Sequence, residues 1–346
     1  MKTQAAVLVQ PKQPLVLAEL EIPQLRRGQV LVQVLYSGVC HTQLLEARGY
    51  RGKDPYLPHC LGHEGSGVVL ETGPEVSKVK PGDRVILSWI KGSGIDVPNT
   101  KYDWAGRQVN AGGITTFNRH ALLAENRLTV LPEGVDMRLM AYVGCAVATG
   151  AGAVLNTAGV RAGQSLVVFG AGGVGLCALA AAATTGCCPL IAVDILPQKL
   201  ELARQAGASH VVLSDGNNAV EQILRLCPGG ADVAIEVTGR PAAMKQALAC
   251  VRNQGGVAVV VGNAHFGETL EVEPREFNHG KQLRGTWGGD SQPDRDYLRY
   301  VRLLSAGKLS VRPLMGALYR LEDINQALAD LENGKTARPM LDLSAK

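Results

Sequence analysis

The stretch LVVFGAGGVGLCALAAAA, residues 166–183, decides how the chain is organised. A short run of strand-forming residues precedes the motif G-A-G-G-V-G, and an alanine-rich run typical of a helix follows it. The 18 uncharged residues would be long enough to cross a bilayer. The clustered glycines and the strand-like start instead predict a buried strand, a tight turn and a helix.

The glycines of this motif have separate roles in a turn that binds a dinucleotide. Gly170 allows the tight turn, Gly172 lets backbone N–H groups approach a pyrophosphate, and Gly175 lets the helix pack closely on the sheet. Gly173 and Val174 lie between the last two glycines and are counted among the cofactor-binding residues. The helix N-terminus supplies an anion site. A glycine-rich packing turn without a ligand is the alternative.

The next strand, LIAVD, ends in Asp194, which lies 19 residues after Gly175. A carboxylate about 20 residues after the glycine motif accepts hydrogen bonds from the ribose 2′-hydroxyl of NAD. The same carboxylate repels the 2′-phosphate of NADP, so Asp194 predicts NAD as the cofactor. The alternative is that Asp194 is a helix N-cap residue.

Strands and helices alternate from this motif onward. Strand patterns over 165–170, 190–194, 210–213, 232–239 and 256–262 are separated by helical patterns. This alternation predicts βαβ units and a parallel, doubly wound α/β sheet.

The rest of the chain has a different pattern of apolar and turn residues. Residues 5–39 and 65–87 carry apolar residues between glycine and proline turns, which predicts a mostly β region. Residues 91–113 have no apolar period and predict a long surface excursion. Helical patterns over 294–307 and 321–334 each end at a glycine.

Length and composition limit the class of protein. A chain of 346 residues is long for one core, so two domains are expected. Hydrophobic residues make up 46%, charged residues 19%, and the net charge is +4, which argues against a nucleic-acid partner. The N-terminal residues do not show the pattern of an export signal, so neither an export signal nor a membrane partner is expected. Eight cysteines without the density of a secreted scaffold predict a reducing, cytoplasmic setting.

Several motifs together resemble the zinc-dependent medium-chain alcohol dehydrogenases. They are the glycine motif and the segments GVCHTQ at 38–43, GHEGSG at 62–67, GCAVATGAG at 144–152, AIEVTGRP at 234–241 and GKTARPML at 334–341. The resemblance runs through essentially the whole chain. It implies a GroES-like catalytic domain, residues 1–146 and 288–346, and a Rossmann NAD-binding domain, residues 147–287, with the active site in the cleft between them.

In that family one catalytic zinc is held by two cysteines and a histidine, which correspond here to Cys40, His63 and Cys145. The local spacing in CLGHEGSG, residues 60–67, would instead pair Cys60 with His63. The resemblance leaves Cys60 as a buried small hydrophobe. It makes Glu64 an acidic neighbour that tunes or transiently binds the zinc. No cysteine lies between Cys60 and Cys145, so the four-cysteine structural zinc site of many relatives is missing and one zinc per chain is expected.

The resemblance also implies a proton path and further cofactor contacts. Thr42 matches the hydroxyl that takes the proton from the alcohol, with a helix N-cap as its alternative role. His41 and Arg338 match residues that contact the pyrophosphate, and Lys199 matches one that helps Asp194 at the ribose.

Two positions next to the metal ligands depart from the family pattern. Gln43 stands where an aspartate is expected behind the metal ligands, and Leu45 stands where some relatives have the last histidine of the proton path. Trp89 and Trp287 either narrow the substrate pocket or fill the core.

The predicted activity is hydride transfer between an alcohol and NAD, with an aldehyde or ketone as the substrate of the reverse reaction. A polyol or amino-alcohol dehydrogenase of the same superfamily is the first alternative. A zinc-free nucleotide-binding protein on the same scaffold is the second, and the presence of all three metal ligands argues against it. Relatives are homodimers or homotetramers, and the same is expected of this chain.

Overall fold

The computed structural model describes residues 1–214 and 218–344 and divides them into two compact units. Residues 1–145 and 292–302, together with the chain from Met315 onward, form the first unit; residues 146–291 and 303–314 form the second. The domain boundaries given above stay a prediction, and the structure assigns residues 303–314 to the second unit.

Twelve strands of the described residues belong to the first unit, and six form the sheet of the second. Those formed by the described residues are β1 Lys2–Leu8, β2 Val16–Glu21, β3 Gln29–Gly38, β4 His59–Cys60, β5 Glu64–Thr72, β6 Arg84–Ser88, β7 Lys101–Trp104, β8 Arg107–Asn110, β9 His120–Ala124, β10 Leu128–Val130, β11 Leu166–Phe169, β12 Leu190–Asp194, β13 His210–Leu213, β14 Val233–Glu236, β15 Val257–Val260, β16 Gln282–Gly285, β17 Leu318–Tyr319 and β18 Met340–Asp342.

The helices are short, and five of the ten α-helices of the described residues connect the strands of the second unit. The α-helices of the described residues are α1 His41–Ala47, α2 Met137–Ala141, α3 Ala146–Gly152, α4 Gly173–Ala183, α5 Pro197–Gln205, α6 Ala219–Leu226, α7 Pro241–Cys250, α8 Pro274–Asn278, α9 Leu298–Ser305 and α10 Ile324–Glu332, with π-helical segments at Ala153–Ala158 and Pro293–Tyr297.

The first unit is a mostly β domain, as the period-two patterns predict. Strands β1, β2, β7, β8 and β4 close into a barrel, and β10-β6-β5-β3-β18-β17 form a sheet to which β9 adds on β3. Val30, Val32 and Val34 of β3 are fully buried and lie in the core beside this sheet. Because β3 pairs with β5, β9 and β18, it is the strand that organises the unit.

The predicted surface excursion at 91–113 is wrong in its second half. Residues 101–110 form the hairpin β7–β8, which belongs to the barrel. Tyr102 and Val109 are buried in the barrel core, and Ala105 and Gly106 have φ of 50° and 86°, which suits a tight hairpin turn. Four-residue strands in a polar segment give no detectable period, so the pattern could not reveal them.

The second unit is the predicted doubly wound α/β domain. Its six strands are all parallel in the order β13-β12-β11-β14-β15-β16, so the strand order reverses beside β11. The five predicted strands are confirmed, and residues 166–183 form β11, a turn and α4. The sixth strand, β16, was missed because its sequence QLRG has no apolar run.

Among the described residues, no single helix is both long enough and apolar enough to span a membrane. One bent pair of short helices, Met137–Gly144 and Ala146–Ala158, reaches the length and apolar composition of a membrane span only when the two helices are counted together.

Candidate metal centre and dinucleotide loop

Cys40, His63 and Cys145 come together in the first unit. Their potential ligand atoms all lie within 4.8 Å of one another, and His63 Nε2 is 3.2 Å from Cys145 Sγ. Both cysteines are buried. Zinc binds thiolate sulfur at about 2.3 Å and imidazole nitrogen at about 2.0–2.1 Å, so donors this close can share one ion. The donor set, two thiols and an imidazole, therefore fits zinc with one coordination position left open.

The pairing of β3 with β5 brings the first two of these residues together. Ser37 of β3 lies opposite Gly65 of β5, so the end of β3 meets the start of β5. Cys40, two residues after the end of β3, is the N-cap residue of α1, and His63 immediately precedes β5. Antiparallel pairing thus places side chains 23 residues apart in sequence at one edge of the sheet.

Strand β6 positions the third residue. Ser88, the last residue of β6, lies opposite Glu64 and donates a hydrogen bond from its hydroxyl to the carbonyl of Gly144 at 2.8 Å. A Cβ at Gly144 would overlap the carbonyl oxygen of Leu87, so only glycine allows this approach. Cys145 is therefore held beside the start of β5.

The two thiols influence each other's ionisation. A hydrogen bond from Cys145 lowers the pKa of Cys40 well below its ordinary value, although burial opposes this, and the positive charges of Arg338 and His63 help. The pKa of Cys145 is raised because of the hydrogen bond with Cys40, burial and the charge of Cys40. One thiolate is therefore readily available, and the second forms only when a cation compensates the added charge.

Gln43 contacts two of the three ligand residues. Its Oε1 accepts a hydrogen bond from the backbone N–H of Cys40 at 2.9 Å, and its Nε2 lies 2.5 Å from His63 Nδ1. The sequence identified this position only as a missing aspartate. The signal that could have revealed the contact is the position of Gln43 three residues after the N-cap, where a glutamine side chain reaches back to the N-cap backbone.

Glu64 and Arg338 form a buried ion pair next to the ligands. Arg338 Nε donates to Glu64 Oε1 at 2.7 Å, and the two side chains are 3% and 0% exposed. A Cβ at Gly38 would overlap the Glu64 carboxylate. Arg338 is thus not the surface charge that its residue type suggests, and its predicted pyrophosphate contact stays a prediction, as does the role of Glu64 toward the metal.

The residues around Thr42 are placed by the short helix α1. The N-cap residue of α1 is Cys40, so the alternative reading of Thr42 as an N-cap is wrong. Thr42 Oγ1 lies 3.7 Å from Cys40 Sγ, which places its hydroxyl beside a metal ligand. His41 is exposed, and Leu45 is buried with 4% exposure.

Cys60, Trp89 and Trp287 lie in three different environments. Cys60 lies in the barrel core, and burial raises the pKa of its thiol to about 12, as expected for a small hydrophobe. The ring of Trp89 is 6.4 Å from the ring of His63, which places it at the metal centre. Trp287 is 74% exposed, so it does not fill the core of the second unit.

The glycine motif of the second unit has the geometry that each role requires. Gly170 has φ of 99°, and a Cβ at Gly175 would overlap the carbonyl oxygen of Gly170. A Cβ at Gly172 would meet no atom within 4 Å, so that side of the loop is open. Gly173 and Val174 form the first turn of α4, and Gly172 is its N-cap. The turn, the open face and the close helix contact are those of a dinucleotide loop.

Asp194 is tied to this loop. Its Oδ2 accepts a hydrogen bond from Ala171 N–H at 2.7 Å, and its Oδ1 accepts one from Leu196 N–H at 3.0 Å. The N-cap of α5 is Leu196, so the alternative reading of Asp194 as an N-cap is wrong. Lys199 lies in the first turn of α5 and is partly exposed.

Sequence reasoning missed a buried carboxyl beside the same loop. Glu236 ends β14 with 0% exposure, and its Oε1 accepts hydrogen bonds from the backbone of Thr238 at 2.5 Å and of Gly239 at 3.0 Å. A Cβ at Gly170 would lie 2.8 Å from the Thr238 side chain. Glu236 thus shapes the turn against which the glycine loop packs. An acid at the end of an apolar strand and two residues before Thr-Gly was the available signal.

Known proteins share the fold of this chain and are similar to it in sequence. The model of the alcohol dehydrogenase GroES-like domain matches residues 26–133, and that of the zinc-binding dehydrogenases matches residues 173–306. S-(hydroxymethyl)glutathione dehydrogenase of Synechocystis sp. is 30% identical over 370 residues, covering 99% of this chain and 100% of that protein.

Two solved structures are similar over almost their full length. Benzyl alcohol dehydrogenase from Acinetobacter calcoaceticus has a TM-score of 0.89 and 32% identity, and 99% of each chain is covered. An alcohol dehydrogenase zinc-binding domain protein from Burkholderia ambifaria has a TM-score of 0.88 and 33% identity, again with 99% of each chain covered.

The fold, the Cys-His-Cys centre and these similarities define a class of zinc-type oxidoreductases. The chain belongs to the zinc-dependent medium-chain alcohol dehydrogenase family. It is accordingly a zinc-dependent alcohol oxidoreductase that acts on small molecules. The similarities do not favour the polyol, amino-alcohol or zinc-free alternatives.

Proposed function

We propose that this enzyme uses NAD to oxidise an alcohol, or its reduced form to reduce an aldehyde or ketone. The observation that carries the cofactor choice is the position of Asp194, which is 9% exposed and bonded to the glycine loop through Ala171. A carboxylate fixed there is an acceptor for the ribose hydroxyls and faces any 2′-phosphate with like charge.

Cys40, His63 and Cys145 are proposed as the zinc ligands. When bound, zinc supplies Lewis-acid stabilisation of the negative charge that develops on the substrate oxygen. The protein contributes two buried thiols and a half-buried imidazole within one cluster, and Trp89 limits the space beside His63.

Thr42 and Glu64 are proposed as the residues that serve the reaction around this centre. The Thr42 hydroxyl, next to Cys40 Sγ, takes the proton of the substrate alcohol and passes it toward the cofactor ribose. The Glu64 carboxylate, held by Arg338, adds negative charge beside the ligands and so tunes the affinity of the centre for its cation.

The cofactor is proposed to bind along the glycine motif, with the pyrophosphate at the N-terminus of α4 and the ribose at Asp194 and Lys199. His41 and Arg338 are proposed as pyrophosphate contacts. The exposure of His41 supports its part, whereas the buried guanidinium of Arg338 also serves as the partner of Glu64.

A homodimer or homotetramer is proposed for the assembled enzyme. Strand β16 is an edge strand of the second unit, so one side of it offers unpaired backbone groups. Trp287 follows β16 by two residues and is 74% exposed. A large exposed aromatic side chain next to the end of an edge strand favours contact with a second copy. A reducing, cytoplasmic compartment suits the eight cysteines, none of which is in a disulfide.

Metal analysis and steady-state kinetics test this function. We expect one zinc per chain and NAD reduction with members of a panel of aliphatic, aromatic and polyol substrates. A purified chain that retains no zinc under reducing conditions contradicts the proposed ligands. A higher kcat/KM for NADP than for NAD contradicts the proposed role of Asp194.

A further inference from the structure

Gln43 uses both ends of its amide on residues of the metal centre. The side chain is buried with 2% exposure. Its oxygen accepts from the backbone N–H of Cys40 at 2.9 Å, and its nitrogen lies 2.5 Å from His63 Nδ1. Residue Gln43 therefore connects the polypeptide backbone at one proposed ligand to the ring of another.

The donors and acceptors in this arrangement determine where the proton of His63 sits. A backbone N–H can only donate, so the Cys40 N–H requires the amide oxygen of Gln43. The amide nitrogen also only donates, so His63 Nδ1 must accept. A neutral imidazole that accepts at Nδ1 carries its proton on Nε2, which is the nitrogen 3.2 Å from Cys145 Sγ.

This proton position conflicts with metal binding through Nε2. A ring nitrogen that carries a proton has no free electron pair for a cation. Binding through Nε2 requires the proton on Nδ1, and Nδ1–H then needs an acceptor, which the amide nitrogen of Gln43 is not. The amide oxygen cannot serve His63 and the Cys40 N–H in their present positions at once.

We propose that Gln43 is a positioning residue that makes zinc uptake weaker and more reversible than a carboxylate at the same position would. The amide must give up the Cys40 N–H in order to accept from His63 Nδ1–H, whereas both oxygens of a carboxylate accept. This inference rests on the proposed ligand set. It assigns to Gln43 an effect on metal affinity that acts through the tautomer of His63.

Nitrogen NMR of the metal-free wild-type protein tests the first half of the inference. With ¹⁵N-labelled histidine at about pH 8, above the usual pKa of imidazole, the ring of His63 should show the proton on Nε2. In the isosteric variant Gln43→Glu the proton should move to Nδ1. A wild-type ring that already carries its proton on Nδ1 overturns the inference, and this measurement requires no variant.

Zinc affinity tests the second half. Competition with a chromophoric chelator under reducing conditions should give a zinc dissociation constant at least tenfold smaller for Gln43→Glu than for wild type. The control Gln24→Glu adds the same charge at an exposed position and should leave the constant within twofold of wild type. Equal affinity of Gln43→Glu and wild type overturns the inference alone. Absence of zinc binding by wild type overturns the proposed ligand set and the inference with it.

Discussion

Removing the charge of Arg338 should destabilise the first unit strongly. The guanidinium and the Glu64 carboxylate are 3% and 0% exposed, and Arg338 Nε lies 2.7 Å from Glu64 Oε1. Arg338→Met keeps much of the side-chain length and leaves the Glu64 carboxylate buried without its cation. Removing one partner of such a buried ion pair lowers the free energy of unfolding by about 3–5 kcal/mol.

The comparison with a double variant separates the charge from the packing. In Glu64→Gln with Arg338→Met neither buried group is charged, so most of the lost stability should return, because neutral replacements of a buried pair are often nearly equal in stability to the pair. Glu64→Gln alone leaves the guanidinium buried without a carboxylate and should cost as much as Arg338→Met.

Urea denaturation of the metal-free protein under reducing conditions measures these differences. The transition is followed by tryptophan fluorescence, because Trp89 and Trp104 lie in the first unit, whereas Trp287 of the second unit is already 74% exposed in the folded protein. A coupling free energy of about 2 kcal/mol or more is expected from the double-mutant cycle. A loss below about 1 kcal/mol in Arg338→Met, or a double variant less stable than either single variant, refutes the argument. The same variant should also bind zinc more weakly, because the positive charge of Arg338 favours the thiolate forms of Cys40 and Cys145, although Cys40 and burial keep the pKa of Cys145 raised.

Three further outcomes are expected. Asp194→Gly should lower kcat/KM for NAD and raise the NADP-to-NAD ratio at least tenfold, because it removes the like charge at the 2′-phosphate, and steady-state kinetics with both cofactors measure this. Cys145→Ser should lose most of the zinc in metal analysis, whereas Cys60→Ser should retain it, since Cys60 lies in the barrel core. Burial tends to raise the pKa of Glu125, but backbone N–H bonds from Ile95, Lys78 and Ser77 outweigh it and the pKa is lowered. The ionised Glu125 side chain should therefore contribute fully to stability above its unfolded pKa of about 4.3, and this contribution should be lost as the pH falls through the lower pKa of the folded state. Urea denaturation should accordingly find Glu125→Gln less stable than wild type at neutral pH but not in acid.

The fold of the second unit could be predicted because its signals are local. The segment 166–183 contains the strand, the turn and the start of the helix in one run, and each glycine role depends on residues nearby in sequence. Strand β16 has no such signal, since QLRG is apolar at only one position and is defined by its pairing with β15. The hairpin β7–β8 was missed for the same reason, because its buried residues Tyr102 and Val109 are too few to form a period.

The metal centre could be predicted only in part. The spacing of residues 60–63 indicated a local pair of ligands, but Cys60 points into the barrel core, where a long-range fold decides its environment. Cys145 is 82 residues from His63, and nothing in local spacing relates the two. Family resemblance supplied this grouping, and the pairing of β3, β5 and β6 explains it.

Glycines next to the proposed ligands explain how these strands come close enough. A Cβ at Gly38 would overlap the Glu64 carboxylate, one at Gly62 would overlap the Thr116 hydroxyl, and one at Gly144 would overlap the Leu87 carbonyl. Each of these glycines lies within two residues of Cys40, His63 or Cys145. Close contacts that only glycine allows therefore help to bring together the segments that carry the three proposed ligands. In this chain the glycines next to His63 and Cys145 and two residues before Cys40 mark a shared centre that the spacing between the ligands does not reveal.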